Sequence, residues 1–266
     1  MLVIILSKKL KRTNKIIDIL KERNGATVKE LASILDVSEM TIRRDLEVLK
    51  SNNIINNVYG AAIYNPSNNI EKLESFYDLS NETIKQENQK LLIGKTAASL
   101  IEEDDVIIID TGTTTEKLAT SIDSNLKISA LIFNTNILNE LIQKKNINLI
   151  FSGGYFHPNT QMFESTEGIS LITKTRATKV FVSAAGVHET LGVTCSNSYE
   201  VLTKQAILNS SLEKILLVDS SKFGTVKSSY FADLDAFDTI ITDNGINSEW
   251  KERIHNKGIK LIIAML

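Results

Sequence analysis

The chain has 266 residues, 42% apolar and 23% charged, with two prolines and twelve glycines, so it can bury one large core or two unequal ones and has no long low-complexity stretch. Cys195 is the sole cysteine and His157, His188 and His255 are far apart, so neither an internal disulfide nor a metal spacing is expected; no cofactor motif stands out, and a cytoplasmic address fits. The net charge of −2 hides an asymmetry: residues 1–60 hold eleven Lys/Arg against seven Asp/Glu, or +4, leaving −6 for the rest, which points the basic end at a polyanion.

The opening "MLVIIL" is too short to span a bilayer and precedes the basic residues, unlike a signal peptide. It reads as a disordered start or a misassigned initiation codon. Residues 8–23 place Ile16, Ile17, Ile19 and Leu20 on one side of a helix that "NG" at 24–25 ends. Thr27 followed by Glu30 is a capping-box pattern, opening a helix that buries Leu31, Ile34 and Leu35. Ser38 then caps a second helix with Ile42, Leu46 and Leu49 inward. Two short helices across a tight turn have helix-turn-helix geometry. Met40, Thr41, Arg43, Arg44 and Glu47 stay outside. Ser38, Met40, Thr41 and Arg44 lie at the end of the helix that reaches base edges, where arginine pairs with guanine or clamps phosphate. A small helical bundle with a solvated arginine pair is the bland alternative.

The stretch "VKELASILDVSEMTIRRDLEVL" resembles the DeoR family of bacterial transcription regulators, matching its motif at Val37, Ser38, Thr41, Ile42, Arg43, Arg44, Asp45 and Leu46. The resemblance implies a winged helix-turn-helix that binds double-stranded operator DNA through Thr27, Ser38, Met40, Thr41, Arg43, Arg44, Lys50 and Tyr59. In the family the wing usually carries a basic residue and a histidine, where this chain has Asn57 and Tyr59. The wing is therefore less cationic, by roughly one phosphate contact.

"YNPSNNI" at 64–70 reads as a boundary. The expected division is a DNA-binding domain over 1–62, a linker over 63–81 and a larger domain over 82–266. Residues 82–103 read as one helix, with Ile84, Leu91, Leu92, Ala97, Leu100 and Ile101 as buried positions. Seven short apolar runs follow, at 106–110, 128–133, 148–152, 179–185, 215–219, 238–242 and 260–264, with helical patterns at 116–122, 136–145, 198–210 and 247–257. Such alternation predicts an α/β domain with a mainly parallel sheet, whose ligands bind at the carboxyl ends of strands.

Those ends are polar. The first carries Asp110, Thr111, Gly112, Thr113, Thr114 and Thr115, the second Asn134, Thr135 and Asn136, the third Gly153 and Gly154, the fifth Asp219 and Lys222. Gly112 lets backbone approach closely, the following helix offers free amides, and Lys222 offers a point charge, which together make an anion site. Turns are rich in these residues anyway, so the weight lies in several loops sharing one edge. The resemblance to the DeoR family covers this region too. It implies a sensor domain similar in fold to ribose-5-phosphate isomerase, with Asp110, Gly112, Thr113, Thr114, Thr135, Asn136, Gly153, Gly154, Glu200, Lys204 and Lys222 around a phosphorylated sugar. Glu200 and Lys204 read either as a surface ion pair worth a few tenths of a kcal/mol or as a carboxylate held for sugar hydroxyls. Many relatives have an acid where this chain has Ala185, and His188 is either a pocket residue or an exposed loop histidine.

The expected function is a repressor of carbohydrate-metabolism genes whose operator binding a phosphorylated sugar controls, acting as a homo-oligomer, dimer or tetramer, on paired half-sites. The alternative is an isomerase-like enzyme with a DNA-binding appendage. The isomerases of that fold keep acids where this chain has Ala184, Ala185 and Gly186, which weighs against turnover. A DNA-bound scaffold with an unused pocket is a third reading.

Overall fold

The computed structural model describes residues 12–13, 15–20, 26–51, 55–58, 61–64 and 79–265. It divides into two compact units, Met1–Phe76 and Tyr77–Leu266. The apolar start at 1–6, the Asn24-Gly25 helix stop, Tyr59 with Gly60, and the boundary stretch over 65–70 lie outside the described residues.

In the first unit residues 12–13 and 15–20 are helical. Strand β1 (Ala26–Thr27) leads into α1 (Val28–Leu35), followed by α2 (Glu39–Ser51), β2 (Ile55–Val58) and β3 (Ala61–Tyr64). The capping box forms: the Glu30 amide donates to Thr27 Oγ1 at 3.2 Å and the Thr27 amide to Glu30 Oε2 at 2.7 Å. Asp36, left-handed at φ 51°, ends α1 and turns the chain into α2. Ile16, Leu20, Leu31, Ile42, Leu46 and Leu49 form one core. Ile34, expected inside, is exposed, because the packed stripe of α1 runs through Val28, Leu31, Ala32 and Leu35 and Ile34 lies off it. The wing is present as an antiparallel sheet in the order β1-β3-β2. Asp45 is buried inside the family motif and takes a bidentate ion pair from Arg12, at 2.6 Å to Nε and 3.3 Å to Nη2. It ties the first helix to α2.

The second unit begins with α3 (Leu79–Ile84) and α4 (Glu87–Ala98), not with one helix over 82–103. Gln86 between them is left-handed, at φ 53°, which breaks the hydrogen-bond register. The buried side of α4 is Lys90, Ile93, Gly94 and Ala97, and Leu91 and Leu92 are only partly buried. The chain continues through β4 (Val106–Ile109), α5 (Thr113–Ser121), β5 (Ile128–Ile132), α6 (Thr135–Leu141), β6 (Ile147–Phe151), β7 (Tyr155–His157), β8 (Met162–Glu164), α7 (Thr166–Lys174), β9 (Ala177–Ser183), β10 (Gly186–His188) and β11 (Gly192–Cys195). Then come α8 (Glu200–Asn209), β12 (Ser211–Leu217), a 3-10 turn at Ser220–Lys222, β13 (Ser229–Ala232), β14 (Thr239–Asp243), α9 (Ser248–Asn256) and β15 (Lys260–Ala264).

All seven apolar runs pair in one parallel sheet, in the order β6-β5-β4-β9-β12-β14-β15. Alternate residues of each strand feed opposite faces. Ile108, Leu131, Val180, Val182, Leu216 and Ile240 pack beneath α7, α8 and α9, through Ile172, Ile207 and Ile254. Ile107, Ile109, Ile132, Phe181, Leu217 and Ile241 pack beneath α4, α5 and α6, through Ile93, Leu118 and Ile137. The domain is thus a three-layer sandwich. The β7-β8 hairpin, the antiparallel sheet β10-β11-β13 and α7 are additions that the apolar runs do not announce.

Candidate functional site

The strand order fixes where a ligand fits. From β4 the chain builds outward through β5 to β6, then returns to the other side of β4 with β9 and builds the opposite way. At that switch point the loops after β4 and β9 diverge and leave a crevice at the carboxyl ends. A cleft lies there, lined by Gly112, Thr113, Thr114, Ser183, Ala184, Ala185, Cys195, Ser196, Glu200, Lys204, Val218, Asp219 and Lys222, and by Glu82 and Lys90.

Gly112 is required by close approach. Its φ is +148°, and a Cβ there would stand 2.5 Å from Ser183 Oγ of the neighbouring strand. Directly after it α5 starts, so the partly positive end of that helix faces the cleft at Thr113 and Thr114. Asp110, fully buried under the loop, accepts from the Ser183 amide at 3.0 Å and from Lys204 Nζ at 2.5 Å. Its other oxygen, Oδ1, has no hydrogen-bond partner among the described residues. Lys204 also donates to the Ser183 carbonyl at 3.0 Å and stands 3.8 Å from Glu200 Oε2. Glu200 and Lys204 are both buried, so the surface-pair reading of this spacing gives way to a pair in the cleft wall. Burial opposes the Lys204 charge, but Asp110 and Glu200 outweigh it and hold its pKa above the usual lysine range. Burial likewise pushes the Glu200 carboxyl up.

The cationic side of the cleft is Lys222 and Lys90. Lys222 makes an ion pair of 3.1 Å with Glu82 Oε2, and Lys85 holds the other oxygen of Glu82 at 3.0 Å. Lys90, 1% exposed, donates to the Glu82 carbonyl at 2.5 Å. Burial draws its pKa down to about 8, with Lys222 and Lys85 adding repulsion against the attraction of Asp219 and Glu82. The remaining cavity is about 30 Å³, the room of a water or two.

Of the residues expected from sequence, Gly112, Thr113, Thr114, Glu200, Lys204 and Lys222 come together, with Asp110 beneath them. The others do not line the cleft, although Thr115 and Asn136 both donate to the Gly112 carbonyl behind it. Thr111 Oγ1 donates to the Thr160 carbonyl and Thr115 Oγ1 to the Gly112 carbonyl. Thr135 bonds Gln161, and the Asn136 amide donates to Glu116 Oε2 at 2.8 Å. Gly153 and Gly154 line a separate cleft with Ser165 and Gly168, beside the edge strand β6 and not at the switch point. Ala184 and Ala185 line the cleft without adding charge, and His188 Nδ1 faces the backbone amides of Thr190 and Leu191 within its own loop. Glu82 and Lys90 were not expected. Each sits among charged and amide residues of a helix end, a pattern that reads as solvent-facing until the tertiary fold buries it. Among the described residues, no cluster of three or more His, Cys, Asp or Glu could hold a metal, and no helix is long and apolar enough to cross a membrane.

In the first unit Met40, Arg43, Arg44 and Lys50 are exposed on α2. Arg43 rests 3.6 Å from Glu39, a solvated pair of little energetic weight. Ser38 Oγ lies 2.9 Å from Thr41 Oγ1 and accepts the Thr41 amide at 3.3 Å, so both are engaged in capping α2. Thr27 serves the capping box of α1.

Residues 12–68 match the model of the DeoR-like helix-turn-helix domain, and residues 85–244 match that of the DeoR C terminal sensor domain. The HTH-type transcriptional regulator GolR of Listeria innocua serovar 6a is 31% identical over 95% of this chain and 98% of its own length. The deoxyribose operon repressor of Escherichia coli K12 is 29% identical (96% and 99%), and the lactose phosphotransferase system repressor of Staphylococcus epidermidis 32% (93% and 97%). Among solved structures, ribose 5-phosphate isomerase A from Methanocaldococcus jannaschii aligns at 19% identity and a TM-score of 0.38, over 52% of this chain and 55% of that one. The delta subunit of eIF2B from Chaetomium thermophilum aligns at 14% and 0.43, over 77% and 64%. The chain therefore spans less than two thirds of the length of either structure. With both parts matched in order and the regulators aligned almost end to end, the chain belongs to the DeoR family of DNA-binding transcriptional regulators.

Proposed function

We propose that the protein represses carbohydrate-metabolism genes and that a phosphorylated sugar, bound in the cleft at the switch point, controls its grip on the operator. The observation that carries this is the pairing, in one cleft, of an anion-seeking side and a hydroxyl-seeking side. Lys222, Lys90 and the start of α5 attract a phosphate. Glu200 and Ser183 supply acceptors for sugar hydroxyls, with Asp110 beneath them holding Lys204. Relatives named as deoxyribose and lactose repressors support a carbohydrate class. The proposed DNA-reading face is α2, with Arg44 at bases or phosphates and Arg43, Met40 and Lys50 beside it. A cytoplasmic homo-oligomer on paired half-sites completes the reading.

Thermal shift against a panel of phosphorylated sugars tests it. A ligand at 100 times its dissociation constant stabilises by about 2.7 kcal/mol. A panel with no stabilising member sinks the effector reading. The proposal includes no turnover: the loop after β9 carries Ala184 and Ala185 and no acid of its own, and the nearby Asp110 and Glu200 are tied to Lys204. A sugar-phosphate isomerase assay that gave measurable turnover would establish the enzymatic alternative.

A further inference from the structure

The cleft is lined by three carboxylates, Glu82, Glu200 and Asp219, and three ammonium groups, Lys90, Lys204 and Lys222. With these charges paired, an incoming dianion gains little net attraction, and the cavity of about 30 Å³ left between them is small for it. One of the carboxylates must leave before a phosphate can enter. Glu200 and Asp219 are not free to do so. Glu200 is 5% exposed and takes hydrogen bonds from Asn197 at its amide (3.2 Å) and side chain (2.8 Å). Asp219 is 1% exposed and caps the 3-10 turn through the Ser221 amide at 3.1 Å.

Glu82 is also held, by Lys222 and Lys85, but its side chain is 18% exposed and its element is short. It belongs to α3, a helix of six residues that touches α5 and is anchored by buried Leu79, whose amide donates to the Asn159 carbonyl at 2.9 Å, and by the contacts of Glu82 itself. The Glu82 carboxylate lies on Lys222 and Lys85, and its carbonyl lies on Lys90. An anionic side chain and a carbonyl oxygen thus already occupy the two cations of the site. We infer that Glu82 is a built-in competitor of the effector, filling the subsite where Lys222 and Lys90 receive the phosphate, and that phosphate entry lifts α3 off the cleft. The inference rests on the proposed reading of the cleft as the effector site. It supplies a route to the operator, because the chain N-terminal to α3 leads to the DNA-binding unit; a ligand that displaces Glu82 biases that segment by its differential affinity for the two arrangements.

Isothermal titration of the full-length protein with inorganic phosphate tests this, using Glu82→Gln and Glu82→Ala, Asp219→Asn as a charge control, and Lys90→Met. If Glu82 occupies the subsite in about nine molecules of ten, removing it tightens phosphate binding about tenfold. Glu82→Gln and Glu82→Ala should both show the gain, Asp219→Asn clearly less, and Lys90→Met should lose binding. In the wild type, phosphate should speed amide exchange over residues 79–84. Equal affinity in wild type and both Glu82 variants overturns the competitor while leaving the effector site standing. An equal gain from Asp219→Asn also overturns it, since the effect is then one of field and not occupancy, as does unchanged exchange over 79–84. Failure of wild type and all variants to bind either phosphate or any phosphorylated sugar overturns both this inference and the reading it rests on.

Discussion

Lys90 and Lys204 are both buried ammonium groups, and their surroundings push them in opposite directions. Lys204 has two carboxylates and stays charged, while Lys90 has a carbonyl and distant acids and drops to about 8. The sign matters for pH dependence. A depressed lysine costs the folded chain stability below its folded pKa, and that cost fades as pH rises from about 8 towards the ordinary value. A bound phosphate needs the charged form, so phosphate affinity should hold below pH 8, fall above it, and be accompanied by proton uptake near pH 8. Calorimetry in two buffers of different ionisation heat checks this; a flat profile from pH 7 to 9 would remove Lys90 from the site. Lys222→Ala should weaken phosphorylated-sugar binding about tenfold or more and blunt the sugar's effect on operator binding, as read by fluorescence anisotropy. Arg44→Ala should weaken DNA binding by roughly 1–3 kcal/mol if it reads a base and leave sugar affinity alone. Arg12→Ala separates fold from recognition: it strands Asp45 in the core and should lower unfolding stability by about 2–3 kcal/mol.

At the scale of elements, the break between α3 and α4 is the departure from the expected pattern that bears most on the site. The apolar spacing over 82–103 suits one helix, but a left-handed Gln86 divides it and sets Glu82 against Lys222 and Lys90. Gln86→Gly should therefore raise the melting temperature, by up to about 1 kcal/mol of stability, since glycine takes that conformation without strain. Strands were legible because each is a short apolar run closed by turn residues, and the same turns revealed Gly112 and Lys222. The β7-β8 hairpin was not, as strands of three residues carry too little periodicity to register. Glu82 and Lys90 stayed hidden for another reason: a lysine or glutamate near a helix end looks solvated, and burial of charge is decided by distant partners. Gly94 is similar, a glycine inside a helix whose purpose appears only when α5 is packed on it. A Cβ there would lie 2.5 Å from the Lys117 backbone, so Gly94→Ala should cost about 1–3 kcal/mol in denaturant unfolding.

For the molecule as a whole, strand order converts a list of polar loops into one site. Several strand ends in this sheet are polar, so the sequence placed Gly153-Gly154 and Thr135-Asn136 in one expected pocket with Gly112. The order β6-β5-β4-β9-β12 selects between them, because only the loops after β4 and β9 part company at the switch point. The family motif in α2 was legible at once, since a run of matched residues needs no tertiary information. The Gly94 contact has a mechanical consequence. With the backbones of α4 and α5 in touch, the wall bearing Lys90 and the wall bearing Thr113 and Thr114 move as one rigid block. Any swing of α3 must then pivot at Lys85-Gln86, making that pair a hinge and the six residues before it a short lever whose throw is set at a single left-handed joint.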